Sequence, residues 1–276
     1  MMFESKIRAH LSRGEPALAF CCHLTDPAVH ELVGLMGFDA IWFDMEHHVY
    51  TLEKAQDLIR AARIGAGADA LVRPAAGEYK RMMRMLEAGA QAVLYPRCSG
   101  AAEAREVVRS MKFPPLGERG LDGGNRDMPF CHMDTNAYIK AANEQTVLFC
   151  QIETPEGLDA AEAMLDVEGV DGLFFGPTDY SMEAGIPGQM DHPMIDDAVR
   201  KIADAARRAG KHWGAPCNAE RAKKLLDLGA TMLCTGADII MVKMGMQRTQ
   251  EEFGSLGFKF DNVLERRKKQ LEEQYG

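Results

Sequence analysis

Short apolar runs rich in β-branched and aromatic residues alternate with longer stretches of helical period along most of the chain, and no other feature restricts its fold so strongly. A parallel sheet with crossover helices demands that alternation. The pattern predicts strands at Ala17–Leu24, Phe38–Met45, Ala68–Arg73, Ala92–Pro96, Val147–Glu153, Val170–Gly176, His212–Cys217 and Thr231–Gly236. Between them it predicts helices that include Leu52–Ala66, Glu78–Ala88, Ala101–Lys112, Pro155–Leu165, Ile195–Ala209 and Glu220–Leu228. Gly37, Gly89 and Gly229 stand at helix-to-strand junctions, where a left-handed residue stops a helix and turns the chain. About eight such units in 276 residues predict an α/β fold of the (β/α)8 TIM-barrel type, which takes about 250 residues. A doubly wound open sheet would carry a glycine-rich fingerprint after its first strand; Cys22-His23-Leu24-Thr25-Asp26-Pro27 has none.

Two stretches break the repeat. Phe113–Asp134 lacks helical period and is rich in Gly, Pro and Arg, which marks it as a lid or subunit-contact loop, and Met182–His192 is a shorter insertion of the same kind. From Ile240 to Gly276 the pattern is long, charged and amphipathic, broken around Phe253–Gly257; it reads as the helical tail of a single TIM-barrel domain spanning 1–276. A net charge of −9 argues against a nucleic-acid groove, which needs clustered Lys and Arg. Seven cysteines without a C-x-x-C pair predict reduced thiols. The mixed-charge start, Met1 to Glu15, and the lack of any uncharged apolar run of about 18 residues predict neither signal peptide nor membrane span, and a cytoplasmic location by default.

A TIM barrel builds its active site at the C-terminal ends of its strands. Here the second strand runs into Asp44-Met45-Glu46-His47-His48 and the third into Arg73-Pro74. The fifth ends Gln151-Ile152-Glu153-Thr154 and the sixth Gly176-Pro177-Thr178-Asp179. Glu153 and Asp179 from neighbouring strands, with Arg73 and His47 across the mouth, form a half-shell for a hard divalent cation such as Mg²⁺, Mn²⁺ or Co²⁺. A 2-oxo acid chelated there becomes a better electron sink, and Arg73 adds fixed positive charge where an enolate oxygen develops. Asp44 and His47, three apart, make a general acid–base whose ordinary pKa lies near neutrality. Singly, each residue also suits an ordinary structural use, as a helix-end charge or a surface ion pair. Their joint occurrence on successive strand ends is what points to chemistry.

From about Asp26 to Asp238 the chain resembles the HpcH/HpaI family of class II, metal-dependent 2-oxo acid (pyruvate) aldolases. The resemblance rests on Gly37-Phe38-Asp39, Asp44-x-Glu46-His47, Leu71-Val72-Arg73, Glu87-Ala88-Gly89-Ala90, Gln151-Ile152-Glu153-Thr154 and Gly172-x-x-x-Gly176-Pro177-x-Asp179. The last two, in that order and spacing, are specific to the family. The resemblance implies a carbon–carbon lyase in which Glu153 and Asp179 hold the metal, Asp44 and His47 form the acid–base dyad, and Arg73 contacts pyruvate or its enolate. It implies that Gln151 and Glu46 are outer groups bonding substrate or metal-bound water, and that the backbone at Gly176 and Thr178 lines the pyruvate carboxylate. It further implies a homo-oligomer, a hexamer built as a trimer of dimers, with the C-terminal helix exchanged between paired subunits. The chain departs from the family at Phe20-Cys21-Cys22-His23, at His48-Val49-Tyr50 and around Gly117–Arg126, places where an aldehyde acceptor would sit. The expected reaction is reversible cleavage of a 4-hydroxy-2-oxo acid to pyruvate and an aldehyde through a metal-stabilised enolate; oxaloacetate decarboxylation on the same site is the alternative.

Overall fold

The computed structural model describes residues 4–49, 51–64 and 67–275. Tyr50, the last two residues of the helix expected at Leu52–Ala66, and the outermost ends of the 1–276 span lie outside the described residues. Eight parallel strands close into a barrel in chain order: β1 (Ala17–Cys22), β2 (Ala40–Asp44), β3 (Asp69–Arg73), β4 (Ala92–Tyr95), β5 (Val147–Ile152), β6 (Gly172–Phe175), β7 (His212–Pro216) and β8 (Met232–Thr235). Closure comes from β1 pairing β8, with Ala17 opposite Met232 and Phe20 opposite Thr235. All eight expected strands are present, each trimmed at one or both ends. The chain forms two compact units, one ending at Ala237 and one beginning at Asp238.

The helices of the first unit are α1 (Lys6–Ser12), α2 (Pro27–Leu35), α3 (Leu52–Ala62), α4 (Tyr79–Glu87), α5 (Ala101–Met111), α6 (Thr135–Gln145), α7 (Pro155–Asp159), α8 (Ala161–Leu165), α9 (Pro177–Glu183), α10 (Pro193–Ala209) and α11 (Ala219–Asp227). Their starts are chemically marked: Asp26, Thr51, Thr154 and Asn218 each accept a first-turn N–H through a side-chain oxygen. The helix expected at Pro155–Leu165 is two helices, broken where Ala160 leaves helical geometry.

Period-two alternation along the strands divides the core in two. Ala17, Ala19, Ala40, Trp42, Leu71, Ala92, Leu94, Val147, Phe149, Phe174, Met232 and Cys234 fill the barrel interior, while Ile41, Phe43, Val72, Val93, Leu148, Ile152 and Phe175 face the helices. Ile7 and Leu11 of α1 join the interior cluster. The helix is tied beneath the barrel because Asp69, the first residue of β3, accepts from Ser5 Oγ (2.6 Å), the Ile7 N–H (2.9 Å) and Arg63 (2.8 Å).

The segment expected as a lid or subunit-contact loop is anchored to its neighbours. Phe113, Met128, Tyr138 and Ala142 make a small core of their own. Buried Arg119 donates to Asp127 (2.9 Å), and Lys112 Nζ donates to Asn143 O, Thr146 O and Thr146 Oγ1 at 2.8, 2.7 and 2.8 Å. The segment itself is tied to α6 at two points, the Phe113 N–H donating to Asn143 Oδ1 at 2.8 Å and Tyr138 Oη donating to Asp127 Oδ2 at 2.5 Å.

The second unit holds α12 (Asp238–Gly254) and α13 (Val263–Tyr275), which bear out the expected helical tail. Its Ile240, Met241, Met244, Met246, Leu256, Phe258 and Leu264 are exposed. Among the described residues no helix is long and apolar enough to cross a membrane.

Candidate active site

Counting by twos along the inward positions carries β2, β3 and β5 from oily interior to charged mouth. On β2 the series Ala40, Trp42 reaches Asp44; on β3 Leu71 leads to Arg73; on β5 Phe149 leads to Gln151 and then Glu153. Asp44 and Arg73 are register partners on adjacent strands. That register brings them into a two-point bond, Arg73 Nε to Asp44 Oδ1 at 3.0 Å and NH2 to Oδ2 at 2.7 Å, with both residues buried. The guanidinium lies 4.8 Å over the Trp42 ring, which in turn meets Phe174 edge-on, so an aromatic floor underlies the charged layer.

Arg73 is also the hub of the remaining groups. Its NH1 donates to Gln151 Oε1 at 3.5 Å and lies 3.8 Å from Glu153 Oε1, and its Nε is 3.3 Å from Glu46 Oε2. Burial works against its charge, yet the Asp44, Glu46 and Glu153 carboxylates more than offset this and raise its pKa. For Asp44 burial pulls upward, but Arg73 and the N–H groups of His47 and Glu46 prevail and hold its pKa below the usual value.

Glu153, only 2% exposed, is in the opposite state. Burial, reinforced by Glu46 and Asp179, pushes its pKa up to about 7 despite the Arg97 N–H and the Arg73 charge. Glu46 is raised for the same reasons, burial first, then Asp44 and Asp179. Burial and mutual repulsion thus work together against the charged forms of these carboxylates.

Gly176 follows β6 and its N–H donates to Ile152 O at 2.9 Å. A Cβ there would stand 2.6 Å from Glu153 Cγ and 2.9 Å from Gln151 Nε2, so the glycine is required by space. Its N–H is committed to the sheet, and the room it leaves is taken by the Glu153 and Gln151 side chains. Asp179, half-buried, sits in the first turn of α9, with Thr178 exposed beside it. Among the described residues no three His, Cys, Asp or Glu side chains converge as a ready-made metal site.

The Asp44–His47 dyad is not formed as its spacing suggests. Asp44 Oδ1 accepts the backbone N–H of His47 at 3.3 Å, whereas the His47 ring is 57% exposed and lies 3.8 Å from Glu46 Oε2. The ring facing Asp44 belongs to His48, whose Nδ1 is 3.2 Å from Oδ2. His48 stacks on His23 at 4.3 Å between centroids, and His23 Nε2 lies 3.3 Å from Cys21 Sγ. The physical reason is the turn after β2: a carboxylate that caps the backbone of the third residue has its other oxygen aimed at the fourth side chain. Motif spacing does not single out His23 as a site residue, although counting by twos from Ala17 through Cys21 reaches it. Arg97, whose N–H donates to Glu153 Oε2 at 2.9 Å, gives no such signal.

Comparison with known proteins points the same way. Residues 19–243 match the family model described as HpcH/HpaI aldolase/citrate lyase. The chain is 31% identical over 253 residues to a 4-hydroxy-2-oxo-heptane-1,7-dioate aldolase of Shigella sonnei, covering 91% of this chain and 96% of that protein. It is 31% identical over 254 residues to a 5-keto-4-deoxy-D-glucarate aldolase of Klebsiella pneumoniae, covering 91% and 98%. Among solved structures, an HpcH/HpaI aldolase from Desulfitobacterium hafniense superposes with a TM-score of 0.85 at 28% identity, over 92% of this chain and 97% of that one. With its barrel, its strand-end motifs and its relatives in agreement, the chain belongs to the HpcH/HpaI aldolase/citrate lyase family.

Proposed function

We propose that the protein is a metal-dependent aldolase, a carbon–carbon lyase that reversibly cleaves a 4-hydroxy-2-oxo acid to pyruvate and an aldehyde. The observation that carries this reading is the juxtaposition of Arg73, locked in a two-point bond, with Glu153, a buried carboxylate on which Glu46 and Asp179 press like charge. Glu153 and Asp179 suit Mg²⁺, Mn²⁺ or Co²⁺, since both donors are oxygen and two carboxylates leave positions open for a chelating 2-oxo acid. When bound, such a cation would draw electrons from the C2 keto group and lower the cost of breaking the C3–C4 bond, whose electrons pass into the enolate.

The chain's own residues do the rest. Arg73 holds its charge where negative charge builds on the keto oxygen, and Gln151 beside it bonds the pyruvate fragment. Gly176 lets the Glu153 and Gln151 side chains sit against the backbone that lines that fragment, and Thr178 flanks its carboxylate. Cleavage removes a proton from the 4-hydroxyl and returns one to the pyruvate methyl carbon, work for an imidazole at the mouth. His47, beside Glu46, and His48, held by Asp44, are the candidates in place. Assay of the metal-loaded protein on a panel of 4-hydroxy-2-oxo acids is expected to release pyruvate. No release from any member overturns the reading, and a rate on oxaloacetate exceeding all of them reassigns the site to decarboxylation.

The protein is also proposed to work as a homo-oligomer, a hexamer of three dimers in the cytoplasm. An apolar cleft of about 360 Å³ lined by Pro16, Leu18, Ala222, Leu226 and Leu233 lies beside β8 and β1, and the exposed apolar residues of α12 need a cover of that chemistry. Light scattering is expected to give six times 30.5 kDa; a monomeric mass contradicts the assembly.

A further inference from the structure

Arg97, just beyond β4, has φ +46°, a left-handed conformation that glycine adopts readily and arginine does not. Both ends of the residue are engaged. Its N–H donates to Glu153 Oε2 at 2.9 Å, and its NH2 donates to Glu183 Oε1 at 2.6 Å. Glu183 is the last residue of α9, the helix whose first turn carries Asp179.

We propose that Arg97 is a positioning residue that sets the spacing between Glu153 and Asp179. Its backbone grips the first carboxylate, and its side chain grips the helix that bears the second. The inference rests on the reading of those two residues as cation ligands. As a surface ion pair the Arg97–Glu183 contact is weak, since its side chains are 42% and 44% exposed. Its importance comes from what it joins: a turn over β5 and a short helix after β6, elements that otherwise meet the cation site from different strands. The left-handed turn aims the N–H at Glu153, so backbone and side chain act as two separable halves of one clamp. Arg97 also lies close enough to Glu153 and Asp179 for both to favour its charge. Glu183 therefore has a second effect, drawing the guanidinium toward itself and away from the carboxylates.

The test is Mn²⁺ titration of metal-stripped protein, followed by electron paramagnetic resonance, with near-ultraviolet circular dichroism as the check on folding. Arg97→Val, whose branched side chain resists the left-handed turn, is expected to weaken Mn²⁺ binding about tenfold or more, the scale for a lost partner of a ligand. Arg97→Gly keeps the turn and the N–H and is expected to lose less than Arg97→Val. Glu183→Gln, which releases only the side-chain half, is expected to weaken binding about threefold to fivefold. Should Arg97→Val fail to fold, the exposed Glu183→Gln decides by itself. Parent protein that binds Mn²⁺, with Glu183→Gln and any folded Arg97→Val binding indistinguishably from it, overturns the clamp. Parent protein that binds no Mn²⁺ overturns the cation reading instead, and the clamp with it.

Discussion

Arg73→Met is expected to lower the rate of pyruvate release by about a hundredfold to a thousandfold, the scale for removing a donor aimed at developing negative charge. It is also expected to cost about 3–5 kcal/mol of stability, because Asp44 stays buried with its two-point partner gone. Both losses come from the same geometry and are read separately, one by pyruvate release and one by the urea midpoint. Arg73→Lys does not repair the rate: an ammonium cannot bond both Asp44 oxygens while reaching Gln151 and Glu153. A variant that is destabilised yet cleaves at the parent rate would reduce Arg73 to a structural counter-ion and remove it from the chemistry.

Glu153→Gln separates cation binding from folding even more sharply. The amide keeps the size of the carboxylate and can still accept the Arg97 N–H, so the local shape survives. Its charge does not, and Mn²⁺ affinity is expected to fall about a hundredfold or more, with pyruvate release falling alongside. The metal-free variant is expected to be more stable than metal-free parent by on the order of 1–3 kcal/mol, since a neutral group suits a buried position facing Glu46 and Asp179 better than a third acid. Opposite signs for affinity and stability mark a residue retained for function at a cost to folding. Loss of both together would show that Glu153 is a structural carboxylate, and unchanged Mn²⁺ binding would remove it from the ligand set.

The barrel is legible in the sequence because it depends on repetition: each strand and helix reports the same two periods, and an error at one boundary leaves the count unchanged. Asp44, Arg73, Gln151 and Glu153 are legible because strand ends place them, and the register that joins Asp44 to Arg73 comes from neighbouring inward series. Residues beyond the strand ends obey local turn chemistry instead. The ring at Asp44 belongs to His48 because a capping carboxylate turns its second oxygen outward, a matter of ångströms that Asp-x-x-His spacing does not encode. Arg97 is illegible for a related reason. Its importance lies in a backbone angle and an N–H, which every residue type shares. The Phe113–Asp134 segment lacks period and so reads as loose, while Asn143 and Tyr138 of α6 hold Phe113 and Asp127, contacts that no local pattern reports.

The alternation that brings Asp44, Arg73, Gln151 and Glu153 to the mouth has a bearing on how such a protein can change. Each strand behaves as a ruler graduated in steps of two, so sliding it by a single notch would hide the charged groups among the helices and turn oily ones into the opening. Change is therefore easiest in the fringe beyond the last graduation, where His23 and His48 stand, while the marks below keep their places.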